Sequence, residues 1–341
     1  MRILLDIGHP KDVNIFKEVI PILKGKGHEV KIYARVKENT RKLLEDYGFD
    51  YELGKYYHTM GGKAFGIISN DLHLYNISRN FKPDIFVSPG SPYAAHVSKL
   101  VGKKHIAFPD TEIASLVSKI AIPFTDKIYT STSFYLDYGR KHERFDGYLE
   151  LTYLHPNYFN PDKRVPEKYG LAGDYIILRL SALSSHHDIK AKGFSFSNES
   201  EILDFISQIE QYGKVLIFSE KSEWHIIREH QLDINPMDFH DVLFYARMCI
   251  GEGATMASEA AILGVPSLYV SNTERGYLNE LERKYGLVMN LSDRSVALEK
   301  AIELLSNEST SSLWTQKRER MLNDKIDVTQ YIVKAIEENL K

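Results

Sequence analysis

The chain has 341 residues, more than one ordinary hydrophobic core accommodates, so two domains are expected. A hydrophobic fraction of 43% and a charged fraction of 26% suit a globular chain, and a formal net charge of −3 gives no electrostatic footprint for nucleic acid. The single cysteine, Cys249, excludes an intrachain disulfide and fits a reducing, cytoplasmic setting.

No apolar run reaches the length of a membrane span, and the opening "MRILLDIGHP" breaks too soon for a signal peptide. "RILLDI" is the continuous apolar run of a strand covered on both faces. After the loop "GHPKD", Val13, Phe16, Val19, Ile20 and Leu23 recur at helical spacing and stop at Gly25 and Gly27, which predicts one helix. "HEVKIYAR" is the next strand. The unit recurs as strand "DIFVS", loop "PGSP", helix "YAAHVSKLVG" and strand "KHIAF", then a helix over 113–121 and strand "DKIYTS". This alternation implies parallel sheet with right-handed crossovers.

Residues 154–171 carry three prolines and no apolar period, which marks a domain boundary. Alternation then resumes through "DYIILRLSA", "SEILDFISQIEQYG", "KVLIFSE", "WHIIREHQ", "MCIG" and "PSLYVS". The expected organisation is an N-terminal domain over 1–160, a C-terminal domain over 161–325, and a final helix over 326–341 that packs back on the first domain.

The segment "IGEGATMASEAAILGVP" places a glycine-rich turn between a strand and a helix that opens near Thr255. Gly251 and Gly253 permit a tight turn and close approach, and the first helix amides favour a phosphate. Thr255 would cap that helix or meet a phosphate oxygen. Glu259 suits the paired hydroxyls of a ribose, or merely complements the helix dipole.

Ligands of open α/β sheets bind beyond the carboxyl ends of the strands. In the first half those positions hold Gly8, His9 and Asp12, then Gly90 and Ser91, then Asp110 and Glu112. In the second they hold Arg179, Ser181 and the run His186, His187 and Asp188, then Ser219 and Glu220, then Gly251, Gly253, Ala254, Thr255, Met256 and Glu259. Polar groups from both halves imply a ligand held between the domains. His9 reads as a general base or as the cap of the following helix, and Asp110 or Glu112 would share the base role or hold the imidazole. Arg179 reads as a diphosphate clamp or as an interface ion pair. Glu150 and Tyr153 read as hinge braces. Phe239 and Tyr245 read as a nucleobase border or as core, and His225, Glu229 and His230 as a wet helix face. The adjacent histidines lack further ligands at zinc spacing, so no metal and no cofactor is expected.

The motif "GEGATMASEAAILGVP" resembles the donor site of the GT-B superfamily. Together with "DIGHPKDVNIFKEVIPILKGKGHEV", "GSPYAAHVSKLVG", "FPDTEIA", "GYLELTYL" and "DVLFYARMCI", it resembles an uncharacterised archaeal and bacterial family. That family is related to UDP-N-acetylglucosamine 2-epimerases and to the peptidoglycan N-acetylglucosaminyl transferase. The resemblance implies an α/β GT-B-like fold, two doubly wound Rossmann-like domains facing each other across a cleft. It also implies a metal-independent glycosyltransferase of cell-surface polysaccharide synthesis. The donor would be a nucleotide diphosphate sugar, UDP-linked, held by the glycine turn and Glu259. A lipid-linked acceptor would bring the chain to a membrane surface peripherally. The alternatives are a nucleotide-sugar 2-epimerase and a non-catalytic nucleotide-sugar binder. Three positions depart from the pattern. Glu252 and Ala254 stand where relatives usually have glycine, and Asp12 replaces a frequent histidine. The charge of Glu252 would weaken phosphate binding unless its side chain turns away.

Overall fold

The computed structural model describes residues 1–35, 39–54, 60–112, 119–181, 193–219 and 225–340. The chain divides into two compact units, Met1–Tyr158 with Ile326–Lys341, and Phe159–Lys325. Each is a parallel α/β sheet.

In the first unit, β1 (Arg2–Ile7), β2 (Glu29–Arg35), β3 (Tyr51–Gly54), β4 (Ile85–Ser88), β5 (Lys104–Ala107), β6 (Lys127–Ser131) and β7 (His142–Phe145) form a sheet in the order β3-β2-β1-β4-β5-β6-β7. Strand β1 sits centrally and is buried almost throughout, because Ile3, Leu4, Leu5 and Ile7 are covered on both faces. The strand order reverses between β1 and β4, so the crevice beyond these two strands is the ligand position of a doubly wound sheet. The single helix expected after β1 is two, Pro10–Phe16 and Val19–Gly25. The first begins early because His9 and Asp12 close a capping box around Pro10. Strands β3 and β7, both four residues long, leave no periodic signal in the sequence. Nor does the sequence signal the helix Met60–Phe81, whose apolar pattern is weak. Most of the helix expected over 113–121 lies outside the described residues. The terminal helix Val328–Asn339 buries Val328, Ile332, Val333 and Ile336, and Thr329 Oγ1 donates to the carbonyl of Thr152 within this unit.

In the second unit, β8 (Tyr175–Leu180), β9 (Lys214–Ser219), β10 (Met248–Gly251), β11 (Ser267–Val270) and β12 (Val288–Leu291) run in the order β12-β11-β10-β8-β9. Here the order reverses at β8 and β10, which pair in register from Met248↔Ile176 to Gly251↔Arg179. Strand β12 is the one that sequence periodicity does not identify.

Candidate functional site

At the carboxyl end of β10 the chain turns through Gly251, Glu252 and Gly253 into the helix Ala254–Leu263. The helix opens at Ala254 rather than Thr255, and its N-cap is Gly253 with no side-chain cap, so Thr255 does not cap it. Residues 253–256 are half-buried, and the first-turn amides have no partner within the helix. Both glycines face Arg179. A Cβ on Gly251 would lie 2.5 Å from Arg179 Cβ and 2.7 Å from its carbonyl oxygen, and one on Gly253 would lie 3.1 Å from Arg179 Cγ. The side chain of Arg179 therefore runs along the underside of the turn, and Nη1 donates to the carbonyl of Phe218 near the end of β9 (3.3 Å). Ser219 closes that strand beside it, paired with Leu180.

Glu252 turns away from the helix amides. Its Oε2 accepts the amide of Ser181 (2.8 Å) and its Oε1 the amide of Phe194 (2.8 Å), so both ends of the excursion after β8 are tied to one carboxylate. The amides offset its charge, and a Cβ on Gly193 would collide with Oε1. His186, His187, Asp188 and Glu220 lie outside the described residues.

Glu259 is on the second turn and is buried at 5% exposure. His240 Nε2 meets its Oε1 at 3.2 Å, and Phe159 and Phe239 flank the imidazole. Phe239 also packs edge-on to Phe218, while the Tyr245 hydroxyl donates to the carbonyl of Pro161. On the helix His225–Glu229, Ile226 and Ile227 are buried and His225 is exposed. Cys249 is enclosed, and burial with the nearby Glu259 charge pushes its thiol up to about 12, so it is inert as a nucleophile.

The first unit gathers the other sequence-identified residues at the ends of β1, β4 and β5. Gly8 has no side chain where Arg35 Nη2 lies against it, and Arg35 also stacks on Tyr93 (4.5 Å) and pairs with the buried Asp6. Ser91 donates to the same Asp6. Gly90 adopts φ +118°, and its amide and that of Ser91 both donate to Ser88 Oγ (3.0 and 2.8 Å). With both lone pairs taken, the Ser88 hydroxyl must donate to His105 Nε2 (2.9 Å). Burial pushes His105 down to about 3, so it stays neutral.

His9 is the helix cap: its Nδ1 accepts the amide of Lys11 (3.2 Å). A neutral ring that accepts at Nδ1 carries its proton on Nε2. Asp12 Oδ2 accepts the amides of Gly8 (2.8 Å) and His9 (2.9 Å). Lys11 is 6% exposed, its ammonium 2.9 Å from Asp110 and 3.0 Å from Glu150. Burial works against the charge of Asp110, but the Lys11 ammonium outweighs it and holds the carboxyl below its ordinary value. Glu150 thus joins the strand-end cluster. Glu112 Oε1 accepts the amide of Tyr135 (3.2 Å). Among the described residues no group of three or more His, Cys, Asp or Glu is arranged to hold a metal ion. Lys11, Arg35 and His240 escape the sequence reading because each acts through a partner distant in the chain.

A family described as "Protein of unknown function (DUF354)" matches residues 1–341. The chain belongs to this family. A curated relative, an uncharacterised protein of Methanocaldococcus jannaschii, is 24% identical over 285 residues, covering 79% of this chain and 81% of its own. Among solved structures, a UDP-GlcNAc 2-epimerase from Neisseria meningitidis bound to UDP-GlcNAc superposes with a TM-score of 0.65 at 13% identity, covering 100% of this chain and 99% of its own. The Streptomyces sp. SF2575 glycosyltransferase SsfS6, complexed with thymidine diphosphate, superposes with a TM-score of 0.62 at 13% identity, covering 99% of each chain. At such identities the likeness shows the fold: two parallel-sheet α/β domains of the GT-B kind. No helix among the described residues is long and apolar enough to cross a membrane.

Proposed function

We propose that this chain is a GT-B-type glycosyltransferase that moves a sugar from a nucleotide diphosphate sugar, UDP-linked, to an acceptor hydroxyl. The observation that carries the reading is Arg179 seated beneath the Gly251–Gly253 turn, beside the opening amides of a helix at the strand-order reversal of the second sheet. Transfer breaks the bond between the anomeric carbon and the diphosphate, and negative charge grows on the leaving oxygens. Arg179 and the amides of Ala254, Thr255 and Met256 supply the positive potential for that charge. No metal is needed for it, so turnover persists in EDTA. Glu259, oriented by His240, accepts the ribose hydroxyls, while Ser181 and Ser219 flank the phosphates. In the first unit Gly8, Asp12, Gly90, Ser91, Asp110 and Glu112 serve the acceptor. The nucleotides named for the structural neighbours, UDP-GlcNAc and thymidine diphosphate, are of the class proposed. The setting is cytoplasmic, and the product enters a cell-surface polysaccharide.

Isothermal calorimetry with UDP tests the donor half. Hydrogen bonds to a charged group contribute about 1.5–3 kcal/mol, so Arg179→Ala should weaken UDP about 10- to 150-fold. A wild-type chain that binds no nucleoside diphosphate would end this reading, as would a variant that binds normally. A second reading, a nucleotide-sugar 2-epimerase, is supported by the gathering of His9, Lys11, Asp12 and Asp110 at neighbouring strand ends, since epimerisation needs several proton-transfer groups. Incubation with UDP-GlcNAc and no acceptor separates the two, because only the epimerase converts its substrate at C2.

A further inference from the structure

Glycosyl transfer needs a proton acceptor for the attacking hydroxyl, and one ring nitrogen of His9 is committed to the helix cap. The acids of the first unit differ sharply in what they have left to offer. Asp6 is fully buried and spent on Arg35 and Ser91. Glu150 is 2% exposed and bound to the Lys11 ammonium. Asp110 is more exposed but bound to the same ammonium, which lowers its proton affinity. Glu112 has one oxygen on the Tyr135 amide and the other buried.

Asp12 is placed differently. Both of its bonds fall on Oδ2, from the amides of Gly8 and His9, so the carboxyl is locked in one orientation on a half-buried residue. Among the described residues no donor reaches Oδ1. The residue lies beyond β1, next to the strand-order reversal where a ligand of this sheet binds. We propose that Asp12, through Oδ1, takes the proton of the attacking hydroxyl in the transfer reaction. This rests on the glycosyltransferase reading above. In that step the acceptor oxygen bonds to the anomeric carbon as its proton passes to Oδ1. The electron pair of the breaking carbon–oxygen bond leaves with the diphosphate.

The surroundings suit the role. Burial raises the Asp12 carboxyl most, the Gly8 amide opposes it, Asp110 adds to the rise and Arg35 and the His9 amide subtract, and the balance lies at about 7. A base whose proton affinity matches the working pH transfers protons most effectively.

Asp12→Asn tests this directly, because the amide oxygen still accepts the Gly8 and His9 amides while the group can no longer hold a proton. A panel of UDP-, dTDP-, GDP- and CDP-sugars would be incubated with no acceptor but water, following nucleotide release and C2 epimers by NMR from pH 5 to 9. Unchanged thermal melting and UDP affinity establish that the variant is folded and charged with donor. The expected result is nucleotide release by the wild type with a near-neutral inflection. In Asp12→Asn release falls about 10²- to 10⁴-fold and the inflection is lost. Release within threefold of wild type with the inflection retained overturns the assignment and leaves the glycosyltransferase reading standing. Wild-type protein that only interconverts C2 epimers overturns the reading and the assignment together.

Discussion

His105 Nε2 receives the Ser88 proton and its Nδ1 lies 3.0 Å from Thr125 Oγ1, which donates to the carbonyl of Ala121 (2.9 Å). The network needs Nδ1–H and an unprotonated Nε2, the neutral ring. Folded His105 lies at about 3, against an ordinary value of 6.5. Because the folded value is depressed, the stabilisation is full above about pH 6.5 and is lost as pH falls toward 3. Its steepest slope is about 1.4 kcal/mol per pH unit. Asp12, raised by burial to about 7, has the opposite slope in the same window, so the difference between two proteins isolates the histidine. Between pH 7.5 and 5, urea unfolding of the wild type should lose up to about 2 kcal/mol more than His105→Gln does. Parallel stability curves for the two proteins would show that His105 is protonated in the fold.

The turn between β10 and its helix sorts its glycines by what faces them. Gly251 is paired in register with Arg179, so an added methyl meets backbone atoms of the neighbouring strand that cannot yield without spreading the sheet. Gly251→Ala should destabilise by about 1–3 kcal/mol, read as a lower midpoint in urea unfolding. At Gly253 the methyl meets the flexible Cγ of Arg179. Gly253→Ala should hold stability within about 0.5 kcal/mol, and its effect should fall on UDP affinity as the guanidinium is displaced. Equal loss of stability in both variants would contradict this packing. The glycines themselves are legible in the sequence as a tight approach, but the group they approach is not. Arg179 is far off in the chain, and only the β8–β10 register brings it beneath the turn.

At the scale of the molecule, the last helix belongs to the first unit although the second unit separates it in sequence. Asp327 accepts from the Tyr158 hydroxyl (2.8 Å) and Lys26 pairs with Glu337 (2.7 Å), but these are outer contacts, and the buried Val328, Ile332, Val333 and Ile336 carry the attachment. Deleting 326–341 should expose that face. Hydrogen exchange should then show faster exchange through β5, β6 and β7, where Asn339 and Tyr331 of the helix meet Lys104, Tyr129 and Phe145, while β8 and β10 keep their protection. Uniform loss of protection in both units would show that the helix stabilises more than the sheet it covers.

Alternating apolar runs and glycine stops determine two parallel α/β sheets, because a strand covered on both faces must be apolar throughout and a crossover helix must follow it. The strand "RILLDI" and the turn "IGEGATM" are legible for that reason. Short strands such as β3, β7 and β12 are not, since four residues carry too little periodicity. Which side chains meet was decided by tertiary structure alone. Lys11 finds Asp110 and Glu150, Glu252 ties Ser181 to Phe194, and Glu259 finds His240. Periodicity reports the face a residue takes, whereas the partner of a buried charge is set by strand order and register. Burial then makes that pairing obligatory, because an unpaired charge in the interior costs more than the fold can spare.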